Sequence, residues 1–185
     1  MSKLIGIHGK AGAGKDTLAK GLRVIHGYAR MAFADPLRHA ASATFGVPLE
    51  YFMDPDLKGI TVPYWQMSPR EMMQRMGTEA VRNTFGQDVW VRRWYQDYAH
   101  LPHGTSVVIT DVREEAEASR IRELGGVIVH LQRDGAGLTG TAGQHSSEAG
   151  IQFQKGDFRF YNNDTVEKLW ASLPFLLESI PNLKD

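Results

Sequence analysis

The polar and apolar positions of the chain form two alternating patterns. Short apolar runs at 4–8, 106–110 and 127–131 are typical of strands that are buried on both faces. The stretches 15–26 and 113–124 carry apolar residues every three or four positions, which is the spacing of an amphipathic helix. Strands that alternate with helices predict an α/β fold, in which helices cover both faces of a central, mostly parallel sheet.

Shorter signals predict the remaining elements. Ser68 with Glu71 forms a capping box that predicts the start of a helix, and Asp164 with Glu167 predicts a second box before a closing helix. Residues 47–67 contain three prolines and are expected to be irregular. The other predicted elements are strands at 29–33 and 158–161 and helices at 35–46 and 88–99.

Composition narrows the function classes. The 185 residues suit one domain, and equal numbers of acidic and basic side chains give a net charge of zero, which argues against a nucleic-acid-binding protein. The absence of cysteine excludes disulfides, cysteine-bound zinc and thiol catalysis. No apolar run has the length of a membrane span and the first residues do not form a secretory signal, so we expect a cytoplasmic protein.

The segment from Gly9 to Asp16 joins the first predicted strand to the first predicted helix and matches the phosphate-loop pattern G-x-x-x-x-G-K. Glycines let backbone N–H groups turn towards phosphates, and the N-terminus of the helix adds a favourable dipole. Lys15 supplies a positive charge for the β- and γ-phosphates. The residues predicted to bind ATP are Gly9, Ala11, Gly12, Ala13, Gly14, Lys15, Asp16 and Thr17.

Two carboxylates are candidate magnesium ligands. Asp16 stands where this pattern usually has serine or threonine, and a carboxylate is a hard oxygen ligand that suits Mg²⁺ directly or through water. Alternatively, Asp16 only stabilises the first turn of its helix. Asp111 and Arg113 follow the strand 106–110, at a strand end where ligands bind in parallel sheets. They are predicted to hold Mg²⁺ and a phosphate, unless they serve as a helix cap and a solvated arginine.

The helix after Ser68 offers candidates for a second substrate. At 100° per residue its two opposite stripes have different chemistry. The polar stripe suits a phosphate, a base edge and a sugar, although a solvated face is an equal alternative, and the methionine-rich stripe is expected in the core. The stripes consist of Arg70, Gln74, Gly77, Thr78 and Val81, and of Met72, Met73, Met76 and Ala80.

Two further helix positions carry candidates. Asp35 and Arg38 lie at the start of the helix that follows strand 29–33. Arg38 could bind the acceptor phosphate and Asp35 could accept a substrate hydroxyl or orient Arg38, or the two could be a cap and an exposed arginine. Trp90 and Trp94 share one helix face, and one of them could stack on a nucleobase, whereas core packing is the more common use of such a pair.

Taken in their order along the chain, the motifs of this sequence resemble those of the bacteriophage deoxynucleoside monophosphate kinases. The shared segments are GKAGAGKDT (9–17), FADPLR (33–38), RxxxQxxGTE (70–79), Trp90, DVR (111–113), HSSE (145–148) and NNDT (162–165). The resemblance implies a three-layer P-loop kinase fold with a mobile lid. It also implies ATP and Mg²⁺ as cofactors, and transfer of the γ-phosphoryl group of ATP to a deoxynucleoside 5′-monophosphate.

The resemblance also implies residue roles. Lys15, Arg113 and Arg133 are the expected catalytic residues, with Arg133 as a lid arginine over the phosphates. The expected monophosphate ligands are Arg70, Gly77, Thr78, Trp90, Asp111 and Arg113. We expect a single kinase domain over 1–185, with an acceptor-binding helical region at about 35–100 and a lid at about 134–156. His145 and Glu148 fall in this lid without an assigned role, and a homodimer is one option for the assembly.

Two alternatives stay open on the sequence alone. One is a P-loop kinase of another small molecule, of the dephospho-coenzyme A or phosphomevalonate type. The other is a nucleotide-binding module without turnover. Both alternatives retain the phosphate loop. The first transfers the phosphoryl group to a non-nucleotide acceptor, and the second transfers none. The bases and sugar that the site accepts stay open as well.

Overall fold

The computed structural model describes residues 3–137 and 150–180. Its strands form one sheet in the order β2-β3-β1-β4-β5, and every neighbouring pair is parallel. The central position of β1 gives the segment that follows it neighbours on both sides. The strands are β1 (Leu4–His8), β2 (Ala29–Met31), β3 (Val107–Ile109), β4 (Val127–Gln132) and β5 (Phe158–Tyr161).

The helices vary widely in length. A 3₁₀ turn spans Leu57–Gly59, and a π-helix spans Arg75–Arg82. In the part of the chain that the structure describes, none of the helices is long and apolar enough to cross a membrane. The α-helices are α1 (Lys15–His26), α2 (Asp35–Phe45), α3 (Glu50–Met53), α4 (Pro69–Gln74), α5 (Asn83–Phe85), α6 (Val89–Ala99), α7 (Glu115–Glu123), α8 (Val166–Ala171) and α9 (Leu173–Ser179).

The chain divides into two compact units. The first consists of Met1–Ala32 and Leu101–Asp185 and contains the sheet with α1, α7, α8 and α9. The second consists of Phe33–His100 and contains α2 to α6. The second unit covers the residues of the expected acceptor-binding region, whose role stays a prediction.

Helices cover both faces of the sheet in the first unit, as the alternating pattern predicted. Side chains of successive strand residues point to opposite faces. On one face, Ile5 and Ile7 are fully buried in a core with Leu18 of α1. On the other face, Gly6 lies against Ile121 of α7, and a side chain at position 6 would overlap the Ile121 side chain. The α/β prediction is therefore confirmed.

The second unit has its own core. Met72 of α4 is fully buried with Ala41 and Phe52, and Met73 and Met76 pack against this cluster. This confirms that the methionines of the predicted apolar stripe contact the core. Hydrophobic burial on this scale is the main stabilising contribution to such a unit.

The helix after Ser68 departs from the predicted geometry beyond α4. Ser68 does cap α4 through the predicted capping box with Glu71. The residues after α4 are π-helical, with hydrogen bonds between residues five apart, so stripes drawn at 100° per residue do not continue. Gly77, expected on the polar stripe, is buried, and Ala80, expected in the core, is exposed. Both stripe assignments are corrected at these two positions.

The second predicted capping box is wrong by one residue. Thr165 is the N-cap of α8, and its hydroxyl accepts a hydrogen bond from the N–H of Lys168 at 3.4 Å. Asp164 instead pairs with the Lys168 ammonium group at 2.8 Å. Aspartate and threonine are both good caps, and the residue at which the backbone turns into the helix decides between them.

A buried carboxyl closes the turn between β3 and α7. Glu117 is 5% exposed, and its Oε2 accepts hydrogen bonds from the N–H groups of Arg113 (2.8 Å) and Glu114 (3.1 Å). Burial raises the pKa of Glu117 to about 7, and the negative charge of Asp111 adds to this effect against the two hydrogen bonds. Glu117 therefore fixes the backbone that carries Asp111 and Arg113.

The titration of Glu117 makes stability depend on pH. The folded state holds this proton more tightly than the unfolded chain, whose glutamate titrates near 4.5, so the free energy of unfolding falls as pH rises from about 4.5 to about 7. The loss over this range is about 3 kcal/mol. Glu117→Gln keeps an oxygen acceptor and has no proton to lose. Urea unfolding of this variant at about pH 5 and about pH 7.5 should lack this loss.

Glu123, an exposed carboxylate near the end of α7, provides the control. Glu123→Gln should keep the pH dependence of the parent protein. If Glu117→Gln also kept it, Glu117 would titrate as an ordinary exposed glutamate.

Candidate active site

The carboxyl edge of the sheet receives the loops that carry most of the predicted donor-site residues. β1 lies between β3 and β4, and all three strands run in the same direction, so their carboxyl ends share one edge. The phosphate loop leaves β1 there, Asp111 follows β3, Arg133 follows β4 and Asn162 follows β5. Ligands bind at this edge in open α/β sheets.

Close contacts fix the shape of the phosphate loop. A Cβ atom at Gly9 would overlap the carbonyl oxygen of Leu131, and one at Gly14 would overlap the Asn162 side chain. Gly14 also has a φ of 96°, in the left-handed region that side chains disfavour. The loop therefore requires glycine at both ends of its motif for reasons that this structure shows directly.

Lys15 folds back onto the loop from the start of α1. Its Nζ donates hydrogen bonds to the carbonyl oxygens of Gly9 at 2.7 Å and Lys10 at 2.9 Å. These bonds hold the ammonium group against the loop. The positive end of the α1 dipole lies at the same place, so this part of the sheet edge favours an anion.

The metal-ligand candidates in the first unit are hard oxygen donors. Asp16 is exposed in the first turn of α1, next to Thr17, and Asp111 is half-buried after β3. Mg²⁺ in nucleotide sites uses one or two carboxylates together with phosphate oxygens and water. Within residues 3–137 and 150–180, no group of three or more His, Cys, Asp or Glu could hold a metal. Asp16 and Asp111 are carboxylates of the kind that Mg²⁺ uses in such sites.

His8 ends β1, immediately before the loop. Its Nδ1 lies 2.9 Å from the carbonyl oxygen of Val112, and its ring meets the His130 ring edge-on with centroids 5.3 Å apart. Burial lowers the pKa of the His8 imidazole, which favours the neutral ring at physiological pH. These contacts give His8 a structural position beneath the loop.

The predicted acceptor residues of the second unit lie on several helical segments. In α2, Arg38 Nη1 donates to Asp35 Oδ1 at 2.6 Å, so the aspartate orients the guanidinium group. In α4, Arg70 and Gln74 are exposed, one turn apart. Thr78 in the π-helix is exposed as well.

Gly77 has a packing role in the second unit. A Cβ atom at Gly77 would overlap the Leu37 side chain of α2, and the Gly77 carbonyl accepts a hydrogen bond from Trp90 Nε1 at 3.1 Å. Trp94 is 1% exposed, and its ring centroid lies 4.8 Å from that of Phe33. Of the tryptophan pair, Trp94 therefore belongs to the core, and half-buried Trp90 stays the candidate for a nucleobase.

Some residues enter the site only through the structure, and others fall outside the described residues. The Asn162 side chain donates a hydrogen bond to the Ala13 carbonyl oxygen of the loop, and Glu117 accepts one from the Arg113 N–H in the turn after β3. Asn162 belongs to the NNDT motif, so the sequence offered a reason to consider it. The sequence offered no such reason for Glu117, because a glutamate early in a helix is ordinarily exposed. His145, Glu148 and residues 138–149 of the predicted lid lie outside the described residues.

Comparisons with known proteins give consistent family names. Residues 57–173 match a family model described as deoxynucleotide monophosphate kinase. A protein of Acanthamoeba polyphaga mimivirus named as a deoxynucleotide monophosphate kinase is 31% identical over 183 residues, which cover 92% of this chain and 93% of the relative. The deoxynucleotide monophosphate kinase of Escherichia phage RB69 is 32% identical over 113 residues, or 60% of this chain and 45% of the phage protein. The chain thus aligns with less than half of that phage relative.

Solved structures support the fold. A protein of Chloroflexus aurantiacus described as a kinase superposes with a TM-score of 0.55 and 14% identity over 97% of each chain. A sugar kinase from Janibacter superposes with a TM-score of 0.50 and 15% identity over 100% of this chain and 99% of the other. At such identities the likeness concerns the three-layer kinase fold alone. Since the family model covers more than half of the chain and the mimivirus relative covers nearly all of it, this chain is a kinase that belongs to the deoxynucleotide monophosphate kinase family.

Proposed function

We propose that the chain transfers the γ-phosphoryl group of ATP to a deoxynucleoside 5′-monophosphate and releases the diphosphate and ADP. The observation that carries this proposal is a phosphate loop, with Lys15 held against it, at the carboxyl edge of the sheet in a member of this family. Both substrates are cytoplasmic metabolites, so the reaction belongs to the cytoplasm, which is that of the host if the chain is encoded by a phage.

The loop and Lys15 form the donor side of the proposal. Backbone N–H groups of the loop and the N-terminus of α1 bind the β- and γ-phosphates of ATP. The ammonium group of Lys15 exchanges its two carbonyl acceptors for phosphate oxygens when ATP binds. Because ammonium–phosphate hydrogen bonds are charge-assisted, this exchange favours binding.

Asp16 and Asp111 are the proposed ligands of a magnesium ion, directly or through water. When bound, Mg²⁺ neutralises negative charge on the phosphates of the donor. Thr17 offers a hydroxyl in the same turn of α1. The hydrogen bonds from the backbone of Arg113 and Glu114 to Glu117 hold the chain next to Asp111 in one conformation.

Arginines bind the acceptor in this proposal. Arg38, oriented by Asp35, and Arg70 and Arg113 are the candidate ligands of the acceptor phosphate, and Arg133 is the candidate for charge on the transferring group. The acceptor phosphate is already an oxyanion, so the reaction needs positioning and charge neutralisation rather than a strong general base. Gln74, Gly77, Thr78 and Trp90 are the candidate contacts of the sugar and the base.

A coupled ADP-release assay against every ribo- and deoxynucleoside monophosphate tests the proposed reaction. We expect release that depends on a deoxynucleoside monophosphate. Lys15→Ala should lower kcat by about 10²–10³, because one well-placed donor to the transition state is lost. Its thermal unfolding should change little, since the hydrogen bonds of Lys15 to the Gly9 and Lys10 carbonyls lie within the loop and outside the sheet.

Lys20→Ala is the matched control, because Lys20 is an exposed lysine of the same helix. It should keep the kcat of the parent protein. Transfer to a non-nucleotide acceptor would instead identify another small-molecule kinase. ATP binding without any acceptor-dependent release of ADP would identify a nucleotide-binding module without turnover.

Arg70→Ala and Arg113→Ala should each impair use of the acceptor. A charge-assisted arginine–phosphate contact contributes about 1.5–3 kcal/mol, so acceptor kcat/KM should fall by roughly ten- to a hundredfold. ATP affinity, measured by calorimetry without acceptor, should change by less than about threefold.

Arg92→Ala provides a control in which an exposed arginine of α6 loses a surface ion pair with Asp88 and an exposed hydrogen bond to the Phe85 carbonyl oxygen. Both the acceptor kinetics and the ATP affinity of this variant should match those of the parent protein. A loss of ATP affinity at constant acceptor KM in Arg70→Ala or Arg113→Ala would assign that arginine to the donor site.

A further inference from the structure

The segment after β5 contains two adjacent asparagines whose side chains bond to different parts of the first unit. Asn162 donates to the phosphate loop, whereas Asn163 forms two hydrogen bonds with Asp134, one to its N–H and one to its carboxylate. The proposed reaction gives neither residue a role. Of the two, Asn162 is the buried one, at 4% exposure.

Asn162 links the loop to the sheet. Its Nδ2 donates to the Ala13 carbonyl oxygen at 2.8 Å, in a contact that is buried on both sides. Its backbone N–H donates to the carbonyl oxygen of Gln132, the last residue of β4, at 2.8 Å. The backbone of Asn162 is therefore fixed to the end of β4, and its short side chain has little freedom to move relative to the sheet.

The hydrogen bond to Ala13 also sets the direction of the next N–H group. The Ala13 carbonyl and the Gly14 N–H belong to one planar trans peptide, in which they point in opposite directions. Holding the carbonyl on Asn162 therefore turns the Gly14 N–H away from Asn162. Glycine at position 14 would otherwise allow this peptide to rotate, because it lacks the Cβ that restricts other residues.

The contact also excludes a side chain at position 14. The Asn162 amide occupies the space that a Cβ of Gly14 would need. Asn162 therefore leaves room only for glycine at position 14. Its hydrogen bond to Ala13 also restrains the peptide rotation that this glycine would allow. Neither the hydrogen bond to Ala13 nor the close approach to Gly14 is required to end strand β5.

We propose that Asn162 is a positioning residue of the nucleotide site, which holds the Ala13–Gly14 peptide in the orientation that binds a phosphate of ATP. The inference rests on the proposed function, because it takes ATP as the ligand of the loop. It adds a residue from the far end of the chain to the donor site and assigns a role to the NNDT motif.

The test compares the affinity for a non-hydrolysable ATP analogue, measured by calorimetry without acceptor, among four proteins. Asn162→Leu keeps similar volume and removes the amide donor, which leaves the buried Ala13 carbonyl unpaired. We expect its affinity to fall by about ten- to a hundredfold. The acceptor KM at saturating ATP should stay within about threefold of the parent value, a split that general destabilisation would not produce.

Thr165→Ala is the matched control in the same motif. It removes the N-cap of α8, which lowers stability. The hydrogen bond that is lost joins Thr165 to the Lys168 N–H of α8 and not to the phosphate loop. This variant should lose thermal stability and keep the parent affinity for the analogue. Asn162→Ser serves if Asn162→Leu does not fold, since its hydroxyl is too short to replace the amide.

The outcomes separate the two proposals. Unchanged analogue affinity in a folded Asn162 variant, or an equal loss in Thr165→Ala, would overturn the role of Asn162. If the parent protein bound the analogue but phosphorylated no nucleoside monophosphate, the proposed function would fail. A weaker affinity of Asn162→Leu would in that case still support the role of Asn162.

Discussion

The phosphate loop lies so close to the ends of β4 and β5 that two of its positions have no room for a side chain. The Leu131 backbone fills the space beside Gly9, and the Asn162 amide fills the space beside Gly14. The loop shape is therefore set by the sheet rather than by the loop alone. The sheet is in turn held by apolar residues such as Ile5, Ile7 and Val129, which are completely buried. A binding site that is built on such rigid elements reaches its working geometry before the ligand arrives.

This dependence links local chemistry to the whole fold of the first unit. Parallel pairing of β1 with both β3 and β4 brings Asp111 and Arg133 to the edge from which the loop leaves. Glu117 then fixes the turn after β3 from within α7. The turn that carries Asp111 and Arg113 is thus held by a buried neighbour, which is how an enzyme limits reorganisation during the reaction.

Sequence patterns predicted most of this unit correctly because its elements are locally encoded. The bounds of α1 and β5 match the prediction, and those of α1 are marked by apolar residues at helical spacing between Gly14 and Gly27. The phosphate loop was predictable for the same reason, as a contiguous motif. The contact between Asn162 and Ala13 was not, because it joins residues 149 positions apart. Glu117 was hidden because its burial depends on a turn that no local pattern describes.

The second unit shows where such patterns fail. The stripe through Gly77 assumed a regular α-helix, and the π-helix of Arg75–Arg82 changes the faces of all later residues. Packing against Leu37 explains why Gly77 is buried despite its polar neighbours. Arg70 and Gln74 precede the π-helix, and both lie away from the core, opposite the methionine-rich stripe as expected. Their role in binding an acceptor stays a prediction.

The most direct test of the central claim is an amide NMR titration of the protein with a non-hydrolysable ATP analogue. The account predicts that the amide signals of Gly12, Gly14 and Lys15 shift together as the analogue saturates the protein. Such shifts are expected where backbone N–H groups bind phosphates. Loop amides that stay unchanged at saturation, while amides elsewhere in the chain shift, would contradict it.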